Sequence, residues 1–172
     1  DGSVEAWGGS SNQQRSGYWS GPSRSGTAPT GLECVETIFS NQRAFAALKG
    51  YGSIEVWGDP SDGGILPPDF SNNNIKIIFS STYAFAALYN NGSVQTWGNP
   101  IRGGSGVPVD LSNVKTIFSP DSAFAALDNS GSVQAWGDPG RGGTLIDRWD
   151  TDLPVDLSNV KTIFSNEGAF VA

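Results

Sequence analysis

An all-β fold made of four repeated, strand-rich units is predicted by three observations. The phrase Gly-Ser-hydrophobic-x-x-Trp-Gly occurs four times, at residues 2–8, 52–58, 92–98 and 131–137. A second phrase precedes the later copies: VETIFSNQRAFAAL from Val35, IKIIFSSTYAFAAL from Ile75 and VKTIFSPDSAFAAL from Val114, with VKTIFSNEGAFVA running from Val160 to Ala172. In mid-chain each AFAAL passes through a short turn into Gly-Ser-hydrophobic, whereas Ala172 and Asp1 stand on the two sides of one such junction. A repeat of about 40 residues built from short strands is the mark of a β-propeller, in which every small sheet needs a neighbour on each side. The expectation is a single domain over residues 1–172: a small propeller of four blades, each of about four strands. Pairing the N-terminal and C-terminal strands in one blade then closes the ring. The expected blades are 160–172 with 1–34, 35–74, 75–113 and 114–159. The repeat tryptophans Trp7, Trp57, Trp97 and Trp136 are 50, 40 and 39 residues apart, and two stretches carry insertions of roughly ten residues or fewer.

The third unit shows how a blade is written. Val114 to Ser119 is dense in β-branched and aromatic residues and reads as a strand. Pro120-Asp121-Ser122 breaks it. Ala123 to Leu127 is almost wholly apolar, as a strand buried on both faces requires, and its alanines let neighbouring sheets approach closely. Asp128 to Gly131 is a hairpin turn. Ser132 to Trp136 alternates in polarity, which places Val133 and Ala135 on one face. Gly137 permits a sharp exit, and Asp138 to Gly143 reads as a loop. Pro154-Val155-Asp156-Leu157 supplies a fourth, outer strand segment. No segment carries a sustained helical period.

Composition narrows the functional classes. The 172 residues carry Lys+Arg 10 against Asp+Glu 17, a net charge of −7, and only 16% charged side chains. Phosphate binding needs a basic stripe, so nucleic acid is not an expected partner. No apolar run approaches the roughly 18 residues of a membrane span, so no membrane insertion is expected. The chain has no Met and no signal-peptide pattern, and reads as a mature product, a fragment or a region of a larger chain. Little Lys with abundant Gly, Ser and Asn fits a secreted, extracellular bacterial protein. Cys34 is the sole cysteine and reads as a buried thiol at a blade boundary, with an intermolecular disulfide as the alternative.

The repeat aromatics read as core. Trp7, Trp57, Trp97 and Trp136 fill the space between blades, together with Phe45, Phe85, Phe124 and Phe170 and the earlier phenylalanines Phe39, Phe79, Phe118 and Phe164. Their equivalence from unit to unit argues for packing over ligand contact.

These phrases resemble the repeats of the RCC1 family of β-propellers, in particular the bacterial RCC1-like proteins. The Gly-x-Val-x-x-Trp-Gly strand, the Gly- and Pro-rich loop after it and the Ala-Leu-rich strand occur in the same order, as GSVQTWGNPIRGG and VKTIFSPDSAFAAL show. The usual family ring has seven blades, whereas this chain carries wording for four. The family's Gly-x-x-His is replaced here by Phe-Ser-x-x-x-Ala-Phe. The resemblance therefore implies an architecture and a habit of binding proteins through loops and ring faces. It does not imply the nucleotide exchange or chromatin binding of the protein that names the family.

Little chemistry is available. With no His and one Cys, nucleophile–base pairs and zinc sites cannot be assembled, so no enzyme, no cofactor and no metal is expected. Asp59 and Asp62, and the group Asp147, Asp150 and Asp152, read as turn-forming carboxylates, the alternative being an oxygen-rich calcium site. Function is expected in the two non-repeating inserts. Gly9 to Gly31 carries Tyr18 and Trp19 flanked by Arg15 and Arg24, and Thr144 to Leu153 carries Arg148 and Trp149. These are the side-chain types that anchor protein interfaces. The leading reading is a non-catalytic structural or interaction module that binds protein, chiefly copies of itself, and assembles into an oligomer, filament or tube. The alternatives are a glycan-binding lectin, an inhibitor of a secreted hydrolase, a four-repeat slice of a larger ring, and two chains sharing one eight-bladed ring.

Overall fold

The computed structural model describes residue 4 and residues 28–145 and 157–172. Within them, short strands alternate with turns in a repeating meander. Strands β1 (Val35–Ser40), β2 (Ala44–Lys49) and β3 (Ile54–Gly58) form one antiparallel sheet. Strands β4 (Ile75–Ser80), β5 (Ala84–Tyr89) and β6 (Val94–Gly98) form a second. A third contains β7 (Val114–Phe118), β8 (Ala123–Asp128) and β9 (Val133–Gly137), and β10 (Phe164–Asn166) pairs with β11 (Ala169–Val171) in a hairpin.

One register serves all three full sheets. It sets Phe45 opposite Trp57, Phe85 opposite Trp97 and Phe124 opposite Trp136. The paired rings stack with centroids 5.2, 5.0 and 5.4 Å apart. Such cross-strand aromatic pairs both stabilise a sheet and fix its register. Each first strand opens on a bulge, between Val35 and Thr37, Ile75 and Ile77, and Val114 and Thr116. The residue at each bulge (Glu36, Lys76, Lys115) is charged and exposed. Every second strand then follows the apolar pattern, with Ala44, Ala84 and Ala123 entirely buried.

The core lies between sheets, not within them. Ala46, Leu48 and Ile54 of the first sheet pack on Ile75, Phe85 and Trp97 of the second. Ala86 and Leu88 of the second pack on Val114, Phe124 and Trp136 of the third. Phe170 of the terminal hairpin packs partly buried against Ala125, Leu127 and Val133. Backbone hydrogen bonds stitch the same joints: Ile75 N donates to Gly52 O (2.9 Å), Val114 N to Gly92 O (3.0 Å) and Val160 N to Gly131 O (2.9 Å). The sheet corners require glycine. A Cβ on Gly58 (φ 115°) would lie 2.4 Å from Arg43 O and 2.7 Å from Ala44 Cα.

Three sequence expectations are corrected. The three full sheets have three strands each; of the expected outer segment, residues 154–156 lie outside the described residues, and the corresponding segments around Pro67–Phe70 and Pro108–Leu111 are turns, closed by Phe70 N to Pro67 O and Leu111 N to Pro108 O (both 3.1 Å). Proline has no N–H for a ladder, which is why these segments do not pair. Cys34 is exposed, because it occupies the left-handed turn position (φ 57°) that Asn74, Asn113 and Asn159 hold before the other first strands. Its carbonyl accepts from Gly50 N (3.0 Å), so the backbone, not the thiol, does the structural work there. Phe164 is 69% exposed and lies outside the core assigned to its equivalents.

Tyr89 ties an outer segment to the second sheet. Its Oη lies 2.7 Å from Ser71 O and 2.6 Å from Gln95 Oε1, and burial pushes its phenol up to about 12 from 10.0. A raised folded-state value favours the neutral form. The stability it lends is therefore full below about pH 10 and is lost as pH rises through about 12. Denaturant midpoints measured across that window should fall steeply, and fall less in Tyr89→Phe.

Candidate functional site

The corner after each described Trp-Gly strand is a 3-10 turn: Pro60–Asp62, Pro100–Arg102 and Pro139–Arg141. Asp59, Asn99 and Asp138 cap these turns by accepting from Ser61 N (2.9 Å), Ile101 N (3.2 Å) and Gly140 N (2.8 Å). Proline at the first position presets the backbone. Each turn ends on a left-handed glycine, and two of those carbonyls receive the indole N–H of the next sheet: Trp97 Nε1 to Gly63 O (3.1 Å) and Trp136 Nε1 to Gly103 O (3.2 Å). Glycine is required for a second reason, since a Cβ on Gly103 would lie 2.6 Å from the Phe124 ring. Trp57 Nε1 is buried and has no partner among the described residues.

At the same end of the second strands, where Gly58, Gly98 and Gly137 face Ala44, Ala84 and Ala123, the four Phe-Ser-x-x-x-Ala-Phe loops converge. Their tips, residues 40–42, 80–82, 119–121 and 165–167, line one open cavity of about 790 Å³. The tips are pinned locally: Asn41 Oδ1 accepts from Ala44 N (2.7 Å), Ser81 Oγ from Ala84 N (3.1 Å) and Asn166 Oδ1 from Gly168 N (3.0 Å). They are also pinned to each other. Gln42 N donates to Thr82 O (3.1 Å), and Thr82 N donates to Asp121 O (2.8 Å). Gln42, Thr82, Asp121 and Glu167 hold equivalent positions in the repeats, so one frame presents four different side chains around one opening.

Charged groups brace this mouth from the 3-10 turns. Arg102 reaches Ser122 Oγ (2.9 Å) and Asp138 (3.6 Å) and lies 5.3 Å over the Tyr83 ring. Arg141 donates to Glu167 O (3.0 Å) and stands 3.7 Å from Asp121. The first sheet reverses the polarity, with buried Asp62 3.5 Å from Arg43. Hydrogen bonding from the Thr82 side chain holds Asp121 below the usual carboxylate range. Partial burial opposes this, while Ser122, Arg141 and Arg102 reinforce it. Asp121 is therefore ionised at neutral pH.

Trp57, Trp97 and Trp136 are buried between sheets with Phe85 and Phe124, and Phe45 and Phe170 are half-buried there. The interface candidates Tyr18, Trp19, Arg15, Arg24, Arg148 and Trp149 lie outside the described residues, as do Trp7, Asp147, Asp150 and Asp152. Asp59 caps a turn, and Asp62 pairs with Arg43. The mouth went unread because its tip residues share no wording. The readable signal is that inverse: three variable positions between invariant Phe-Ser and Ala-Phe in every copy.

No protein-family model and no curated protein matches the chain. Solved structures do. Prp20p of Saccharomyces cerevisiae is 23% identical with a TM-score of 0.57, over 76% of this chain and 38% of that one. Yeast RCC1 (Prp20) bound to Kap60 gives 14% identity and a TM-score of 0.55, over 81% and 42%. The fold is that of RCC1-like β-propeller repeats. The ectodomain of the Physcomitrella patens receptor kinase CR4 agrees, at 15% identity and a TM-score of 0.52, over 77% and 34%. The alignments span less than half the length of each of these three chains.

Proposed function

We propose that this chain closes a four-bladed ring and serves as a non-catalytic, extracellular interaction module that assembles with copies of itself. One observation carries the interaction reading: a constant frame holds four loop tips around one mouth and varies the residue at each. Rigid scaffolds that vary only their loops are a common design for recognition. The Prp20 structures are described as binding Gsp1p and histones and as bound by Kap60, so protein partners suit the fold.

Ring closure draws support from Val4. It packs against Leu32, Ala47 and Trp57, the place that the equivalent Ile54 takes against the second sheet. Self-assembly draws support from Ile101 in one 3-10 turn and Ile65 just beyond another, 73% and 63% exposed, and from the unlike faces of a ring. The inserts carrying Trp19 and Trp149 are proposed as further contacts. Negative-stain electron microscopy with light scattering on one sample tests the assembly. Regular rods, tubes or stacked rings are expected, and a uniform 18.0 kDa monomer at all concentrations would exclude it.

A further inference from the structure

We infer that the mouth formed by the four inner loops is a receptor for a primary ammonium or guanidinium group, as carried by Lys and Arg side chains or free diamines. The inference rests on the reading of this mouth as a binding surface and gives its ligand a chemistry. The described residues lining the cavity of about 790 Å³ offer hydroxyls, amides and charged groups, with Pro120 the one apolar side chain among them, so the lining favours a polar ligand.

The loop-to-loop ladder supplies the direction. It runs from Gln42 N to Thr82 O and from Thr82 N to Asp121 O. At the next junction it changes, because Arg141 takes Glu167 O instead. That junction is flanked by two carboxylates, and Arg141 is engaged by Asp121 as well as by Glu167 O, which leaves the one cation of the lining already committed. The Glu167 carboxylate is exposed and has no partner among the described residues. The nearby hydroxyls and amides of Ser165, Asn166 and Gln42 add acceptors. A ligand bearing several N–H donors and a positive charge matches this set, whereas an anion would meet Asp121 and Glu167.

The test uses the whole chain, 15N-labelled, titrated with N-acetyl-lysine amide and separately with 1,5-diaminopentane. Saturable shifts are expected at the amides of Gln42, Thr82, Asp121 and Glu167. Glu167→Gln, at an exposed site where only the backbone is used, should weaken binding about tenfold, the loss of one charge-assisted hydrogen bond. Glu33→Gln, an exposed carboxylate outside the mouth, should leave it unchanged. Tighter binding of the lysine derivative points to a protein loop, and tighter binding of the diamine to a free polyamine. Absent or scattered shifts, or equal losses in both variants, overturn the inference. None of these outcomes bears on the microscopy of assembly.

Discussion

Trp97→Phe should destabilise the protein by about 2 kcal/mol, and Trp57→Phe by far less. The two residues stack on their phenylalanine partners alike, at 5.0 and 5.2 Å. They differ at the indole nitrogen. Trp97 is 1% exposed, donates to Gly63 O, and receives the edge of Phe70 at 5.0 Å. A phenylalanine there leaves a void and strands the glycine carbonyl. Trp57 is 7% exposed, and its buried N–H has no acceptor among the described residues. Burying such a donor costs roughly 1–3 kcal/mol, so removing it offsets the lost volume. The sequence offers a reason: residues after Gly8 lack the Asp/Asn-Pro-x-x-Gly-Gly wording that follows Gly58, Gly98 and Gly137. Urea midpoints of the two variants settle the matter, and equal losses would contradict this account of the tryptophan joints.

The frame was legible in the sequence because each of its parts has a local cause. Trp-Gly marks a corner that only glycine can turn, AFAAL marks a strand covered on both sides, and the repeated Phe and Trp mark the core that the pairs Phe45–Trp57, Phe85–Trp97 and Phe124–Trp136 then form. Other features depend on tertiary context. Glu36, Lys76 and Lys115 look like ordinary strand residues, yet each sits at a bulge. The turns after Pro67 and Pro108 look like outer strands until their missing donors are counted. Cys34 is exposed although burial is the usual fate of a thiol, because its left-handed backbone position is one shared with asparagines rather than cysteines. The mouth could not be seen, since Gln42, Thr82, Asp121 and Glu167 have nothing in common but their place in the repeat.

The four inner loops around one cavity, and Val4 against Trp57, are explained together if the N-terminal strand completes the blade begun by β10 and β11. The common register pairs Ala46 with Val56, Ala86 with Thr96 and Ala125 with Ala135. In a ring closed by that register, Val171 would stand opposite position 6. The direct test is a disulfide between Ala6→Cys and Val171→Cys in a Cys34→Ser background, followed by mass spectrometry and urea unfolding. A closed ring predicts a quantitative intrachain bond, with a gain of about 5 kcal/mol from closing so long a loop. A chain that stays reduced, or one that cross-links only to a second copy, would contradict a ring closed within one molecule.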